Sequence, residues 1–348
     1  MLGNIPSRKK IRYAIGERLL AYLSYYNRIE KLPLQYSDLL RYNAAIPVIG
    51  QNDKETGWET VYYPESDQVE IYNNLKLIYA FLKTDGNISV MEHLTIARID
   101  FCTFGNSKPF RIRIINRLND NYDHFYVKVS DASRIYGLEL ESLLSPNYFY
   151  YLMDGDTLIE EHIAGIPGDD FINQRLNTNF FNQIRIIKEF VKFNERCFAR
   201  LLGDMRSYNY VVDITPDIEG NQYRMRAIDF DQQTFEGSKR FYQPQFFKEN
   251  NPIITLGINH IGPQSVKQYQ MEERSLIAER IRTEQDRVNS LFRIFRMDKI
   301  STNEKIIQLR DELYQYHKVE AFKQAITMGE ITQLHLEKVL NKPIIDWQ

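Results

Sequence analysis

Asp204, Arg206 and Asn209 fall within one short stretch, Leu202-Gly203-Asp204-Met205-Arg206-Ser207-Tyr208-Asn209, and about twenty residues later the chain reads Ile228-Asp229-Phe230-Asp231. A carboxylate at the end of a rigid helix, as Asp204 is expected to be, can orient a hydroxyl group and receive its proton. Magnesium takes oxygen donors, usually one or two protein carboxylates with phosphate oxygens and water completing the shell. Asp229, just after a strand, and the amide oxygen of Asn209 would supply such a pair. Asp231 either reaches the same ion or caps the turn that follows it. Lys128, between Val127 and Val129, is a further residue of interest. On the core face of a strand its ammonium needs an anionic partner; on the other face it is an ordinary solvent lysine.

The elements that must position these groups can be read from periodicity. Over residues 1–95 the texture is mostly helical: Ile11, Ile15, Leu19, Tyr22 and Leu23 recur at helical spacing, as do Val69, Tyr72, Leu75, Ile78 and Tyr79. From about Ile96 short strands follow, Ile99 to Thr103, Phe110 to Ile115 and Phe125 to Val129, rich in aromatic and β-branched residues. A helix over Ala132 to Leu144 comes next, then strands over Tyr148 to Met153 and Thr157 to Ile163 joined at Asp154-Gly155. Past Gly165-Ile166-Pro167-Gly168 the pattern is helical again. Phe180, Ile184, Ile187, Val191, Phe198 and Leu202 form the apolar stripe of a long helix that ends at Gly203. Two strands, Tyr210 to Ile214 and Tyr223 to Ile228, precede an irregular stretch from Asp231 to Gln264. Helices are expected over Gln268 to Arg296, Asn303 to Tyr316 and Val319 to Leu340.

The two acidic motifs together resemble the catalytic loop and the metal-binding loop of the protein-kinase-like fold. Their style is similar to aminoglycoside phosphotransferases and choline or homoserine-type kinases, in which a Gly-Asp opens the first loop and Asp-Phe-Asp is common in the second. The Asp204-to-Asn209 spacing matches that pattern, and Glu161-His162-Ile163-Ala164-Gly165 resembles the strand and hinge of those enzymes. The resemblance covers about Ile96 to Gly237. It implies an α+β, two-lobed protein-kinase-like fold: a small antiparallel sheet lobe with one helix (96–165), a larger helical lobe (166–348) and a mostly helical N-terminal extension (1–95). It also implies transfer of the γ-phosphoryl group of ATP, with Mg2+, to a hydroxyl acceptor that is a small molecule or a protein. Asp204 is then the base, Arg206 offsets charge on the transferring group, and Asn209, Asp229 and Asp231 attend the metal. Lys128 holds the α- and β-phosphates, Glu139 on the next helix is its preferred partner over Glu141, and Glu161 and Ile163 border the nucleotide. Two departures stand out. The turn Phe104 to Pro109 has one glycine where protein kinases carry a Gly-rich cover, and Leu202 stands where histidine is usual.

Composition sets the boundaries. The 348 residues include 44 basic and 46 acidic side chains, a formal charge of −2, which argues against a dedicated nucleic-acid or membrane-surface binder. Cys102 and Cys197 are the two cysteines, so no disulfide framework or cysteine-rich zinc site is available. No apolar run is long enough to span a bilayer, and the start, Met1 to Lys10, is polar, unlike a signal-peptide core; a cytoplasmic protein is expected. The histidines at 93, 124, 162, 260, 317 and 335 have no paired metal spacing. Walker, dinucleotide and Gly-x-Ser-x-Gly motifs are absent. Two other readings keep the fold: a pseudokinase-like scaffold that binds a protein partner, with residues 1–95 as one docking element, and a nucleotidyl transferase.

Overall fold

In the computed structural model, residues 10–50, 53, 55–84, 86–176, 178, 182–218 and 220–344 are described. Most of the polar start of the chain lies outside them, as does Phe180. The chain divides into two compact units, Met1–Asp131 with Phe149–His162, and Ala132–Tyr148 with Ile163–Gln348.

The first unit is built on an antiparallel sheet of seven strands: β1 (Ala44–Ile49), β2 (Glu55–Tyr62), β3 (Leu94–Cys102), β4 (Phe110–Asn116), β5 (Tyr122–Val129), β6 (Tyr151–Asp154) and β7 (Thr157–Glu161), in the order β1-β2-β3-β4-β5-β7-β6. The central strands alternate as half-buried strands should. In β4, Phe110, Ile112 and Ile114 are buried while Arg111 and Arg113 between them are not. Helix α3 (Glu65–Thr84) adds Ile71, Leu75 and Ile78, spaced to share one helix face, to the cluster that holds Ile112, Phe125, Val127 and Ile159. Two shorter helices, α1 (Glu17–Tyr25) and α2 (Tyr36–Leu39), complete the unit.

Residues 1–95 therefore differ from the expected helical extension. They supply α1 to α3 but also β1 and β2, and β2 pairs with β3 from Trp58↔Cys102 to Thr60↔Asp100. The sequence gives little sign of these strands. Five of the six residues of β1 are exposed, it carries Pro47, and β2 contains Gly57, so neither shows a clean apolar alternation. Pairing to an existing sheet edge, and not local preference, makes them strands.

The second unit holds α4 (Ala132–Leu144), β8 (Ile166–Pro167), α5 (Gly168–Gln174), α6 (Gln183–Ala199), β9 (Tyr210–Asp217), β10 (Gly220–Ala227), α7 (Asn251–His260), α8 (Pro263–Thr283), α9 (Gln285–Phe295), α10 (Asn303–His317), α11 (Ala321–Gln324) and α12 (Met328–Leu340). Its small sheet runs β10-β9-β8. Ile186, Ile187, Phe190 and Phe193 of α6 and Phe292 and Phe295 of α9 are buried, and Tyr136 of α4 stacks on Phe295 with centroids 4.0 Å apart. Two helices expected to be continuous are broken. Glu284 separates α8 from α9, and Thr327 caps a fresh start at α12 by accepting from the Glu330 amide. The stretch expected to be irregular contains α7 and several tight helical turns. The fold class is α+β, an antiparallel sheet with a largely helical remainder. Among the described residues no helix is long and apolar enough to cross a membrane.

Candidate active site

Helix α6 ends at Ala199, short of the Gly203 expected, and the chain turns sharply before it reaches Asp204. Leu201 and Asp204 both have left-handed backbones, with φ of 56° and 59°. The loop is held along segment 232–241: Gly203 N donates to Gln232 O at 3.2 Å, Asp204 N to Phe241 O at 3.1 Å, and Thr234 N to Leu201 O at 2.8 Å. A Cβ at Gly203 would lie 2.6 Å from the Phe241 ring, so only glycine allows this approach. From the other side Asn250, fully buried, donates to Met205 O at 3.0 Å and Pro244 O at 2.8 Å while accepting from Tyr210 Oη at 2.9 Å.

Within the loop the side chains converge. Arg206 Nε donates to Asp204 Oδ1 at 2.9 Å, and its Nη1 donates to Glu249 Oε1 at 2.8 Å. Asn209 Nδ2 donates to the backbone oxygen of Asp204 at 2.7 Å. Burial pushes the Asp204 carboxyl up to about 6; Arg206 pulls against this, and the charges of Asp229 and Glu249 add to it. Asp229 reaches this neighbourhood through strand register. β9 begins directly after Asn209, Tyr210 pairs with Ala227, and Ile228 N donates to Asn209 O at 3.0 Å, so Asp229 follows beside Asn209.

The Asp229-Phe230-Asp231 turn rests on the first turns of α4. Ser133 Oγ donates to Gln233 O at 2.7 Å. Arg134, 1% exposed, sends Nη1 to Asp229 Oδ1 at 3.0 Å and to Asp231 Oδ1 at 2.8 Å. Gly137, one turn on from Ser133, is where the helix backbone meets Phe230: a Cβ there would sit 3.0 Å from Phe230 Cβ and 3.1 Å from Gln233 Cβ. Asp231 N also donates to Asp229 Oδ1 at 3.0 Å, which closes the turn.

No family profile and no curated protein matches the chain. Solved structures do. One is the Rio2 kinase–ADP/Mg2+-phosphoaspartate complex from Chaetomium thermophilum, 9% identical over 78% of this chain and 85% of that one, with a TM-score of 0.34. Another is the autoinhibited serine kinase domain of the giant muscle protein titin, 15% identical over 70% and 92%, with a TM-score of 0.26. A third is titin kinase with its flanking domains, 14% identical over 70% and 54%, with a TM-score of 0.30.

The expected residues thus fall into groups. Asp204, Arg206, Asn209 and Asp229 gather in the second unit, with Asp231 behind them on Arg134. Asn209 and Asp229 suit a hard divalent cation. With its nitrogen committed to Asp204 O, the Asn209 amide turns its oxygen away, and among the described residues nothing donates to that oxygen; the Asp229 side chain is 35% exposed. Among the described residues no three His, Cys, Asp or Glu side chains form a metal cluster, and magnesium does not require one.

Lys128 lies in the first unit, on the face of β5 opposite the core residues Phe125 and Val127, and is buried there all the same. Its ammonium meets Glu160 Oε2 at 2.6 Å. Register explains the pair: Lys128 is opposite Leu158, and Glu160 lies two residues along on the same face of β7. Glu139, the partner assigned by resemblance, belongs to the second unit and is engaged by Arg287 at 2.8 Å. Glu141 pairs with Arg200 and accepts from Asn147 at 3.1 Å. Glu161 takes Lys83 at 2.8 Å and the Tyr150 amide at 2.8 Å, and Ile163, in the second unit, is buried. Sequence reasoning did not find Arg134, Asn250 or Glu160. Ser133 and Gly137, small residues four apart on an apolar helix, were the available hint that another backbone comes close to α4.

Proposed function

We propose that this chain is a phosphotransferase of protein-kinase-like fold, moving the γ-phosphoryl group of ATP to a hydroxyl-bearing acceptor. The observation that carries the reading is the convergence on Asp204, where Arg206 Nε donates to Oδ1 at 2.9 Å and Asn209 Nδ2 to the backbone oxygen at 2.7 Å with Asp229 following beside Asn209; burial there raises the carboxyl to about 6, which suits a general base near neutral pH. Asp204 orients the acceptor hydroxyl and takes its proton as the oxygen attacks. Arg206, held by Asp204 and Glu249, presents positive charge beside that carboxylate, where charge on a transferring phosphoryl group needs offsetting. Asn209 and Asp229 are the residues that would hold Mg2+. When bound, the ion would screen the phosphate charges and align the triphosphate. Asp231 is left out of that set, because its carboxylate is largely buried and taken by Arg134. Lys128 is the cation assigned to the α- and β-phosphates. The local order of elements supports the fold: three strands, a helix, two strands, a short strand and helix, then α6, the loop that carries Gly203-Asp204, and a hairpin followed by Asp229-Phe230-Asp231.

Thermal melting with ATP and Mg2+ at millimolar concentration tests the reading. A ligand present at 100 times its dissociation constant adds about 2.7 kcal/mol of stability, so wild-type protein gains several degrees and Asp229→Asn gains none. No shift in wild-type protein would sink the proposal. One observation favours a second reading, a scaffold without catalysis: a buried cation already sits on the Asp229 loop. Transfer of labelled γ-phosphate to any acceptor rejects the scaffold, and transfer of AMP in its place would identify a nucleotidyl transferase.

A further inference from the structure

Arg134 occupies the space that a second metal ion would need. A divalent ion bridging the two aspartates would approach Asp229 Oδ1 and Asp231 Oδ1 to about 2.0–2.1 Å each. Those two oxygens already face one guanidinium nitrogen, at 3.0 and 2.8 Å. The guanidinium cannot lose its proton in a protein, so no accessible pH vacates the position. Nor can it easily swing out. Arg134 is 1% exposed, and its helix is fastened to the same loop by Ser133 Oγ on Gln233 O and by the close approach of Gly137 to Phe230.

We propose that this site operates with a single divalent ion, held on the Asn209 side of Asp229, and that the Arg134 guanidinium serves as the permanent cation in place of a second. The inference rests on the phosphotransferase reading and deepens it. Arg134 is a positioning residue here: it fixes the direction of Asp229 and removes Asp231 from the ligand set. Asp229 Oδ1 accepts from both Arg134 and the Asp231 amide, so the carboxylate cannot rotate freely, and the loop needs no metal to hold its shape.

Counting bound Mn2+ by electron paramagnetic resonance, with and without AMP-PNP, tests this without reference to turnover. Wild-type protein with AMP-PNP saturates at one Mn2+ per chain, even at millimolar Mn2+. Arg134→Gln, which uncovers both carboxylates, takes a second ion, while Arg134→Lys, which keeps the charge, stays at one. Two ions in wild-type protein would overturn the inference and leave the phosphotransferase reading standing. A folded Arg134→Gln protein still limited to one ion would also overturn it. Absence of any Mn2+ or AMP-PNP binding would defeat both. The wild-type count decides the matter even if Arg134→Gln does not fold.

Discussion

Asn209 donates its side-chain amide to the backbone oxygen of Asp204, five residues earlier, at 2.7 Å, and comes within 3.4 Å of Asp204 Oδ2. The loop between them is thereby closed on itself, and the amide nitrogen is committed to Asp204. Replacing Asn209 by Asp removes the donor and sets a second negative charge beside Asp204. The Asp204 carboxyl, already at about 6, should then titrate higher by about one unit. Carbon-13 NMR of the Asp204 carboxyl reads this directly, and an unmoved titration would refute the coupling.

Asp204 also makes the fold sensitive to pH in a defined direction. Its carboxyl ordinarily ionises at 3.8 and here near 6, so the folded state favours the protonated form. Its contribution is fully present below about pH 4 and is lost as pH rises through 6. The stability of wild-type protein relative to Asp204→Asn should therefore decline between pH 4 and pH 7, by at most about 3 kcal/mol. Urea melts at pH 4.5 and 7.5 measure the difference, and a gap that stays constant between them would contradict the assignment.

Lys128 and Glu160 are both buried, with side chains 9% and 3% exposed. Lys128→Met alone takes the ammonium away from the buried glutamate, and loss of one partner of a buried pair costs about 3–5 kcal/mol. Lys128→Met with Glu160→Gln should regain most of that. The double variant, stable but without the cation, is the right protein in which to ask whether Lys128 serves nucleotide. If Lys128 holds the phosphates, its melting temperature no longer responds to ATP and Mg2+.

His317 and His335 lie 2.9 Å apart nitrogen to nitrogen, and the buried His335 also meets Phe198 O at 2.9 Å. Burial holds both rings below their ordinary value, His317 at about 4 and His335 at about 3. An unfolded chain binds protons at these rings as pH falls below 6.5 while the folded chain does not, so stability is present above 6.5 and drains away below it. Urea melts should show a decline from pH 6.5 to 5 that His335→Leu reduces by about half. Equal slopes in the two proteins would exclude the pair as its source.

Gly137→Ala tests the fastening of α4 to the Asp229 loop. The added methyl would meet Phe230 Cβ at 3.0 Å and Phe230 O at 3.2 Å, an overpacking that costs roughly 1–3 kcal/mol. Because the displaced residues flank Asp229, Mn2+ affinity should fall along with the melting temperature. A loss of stability with metal affinity intact would mean that the loop absorbs the methyl elsewhere.

The parts of the molecule legible in the sequence are those whose cause is local. β4 announces itself because Phe110, Ile112 and Ile114 alternate with arginines, and the helix over Ala132 to Leu144 has the bounds read from its pattern. The convergence of Asp204, Asn209 and Asp229 was readable because a hairpin of nearly fixed length joins the two loops. β1 was not, since an exposed edge strand has no buried face to imprint a pattern. Arg134 was hidden for a related reason. An arginine in a first helical turn looks like solvated charge, and its two carboxylates stand 95 and 97 residues away in the chain.

The left-handed backbone at Asp204, with φ of 59°, bears on which acid can serve at this point. Aspartate and asparagine visit that conformation readily because their short side chains bond locally, whereas longer side chains incur a steric penalty of about 1–2 kcal/mol. Glutamate carries the same carboxyl group, yet it would strain the chain and carry its oxygens past Arg206. Geometry of the main chain thus selects between two chemically equivalent acids.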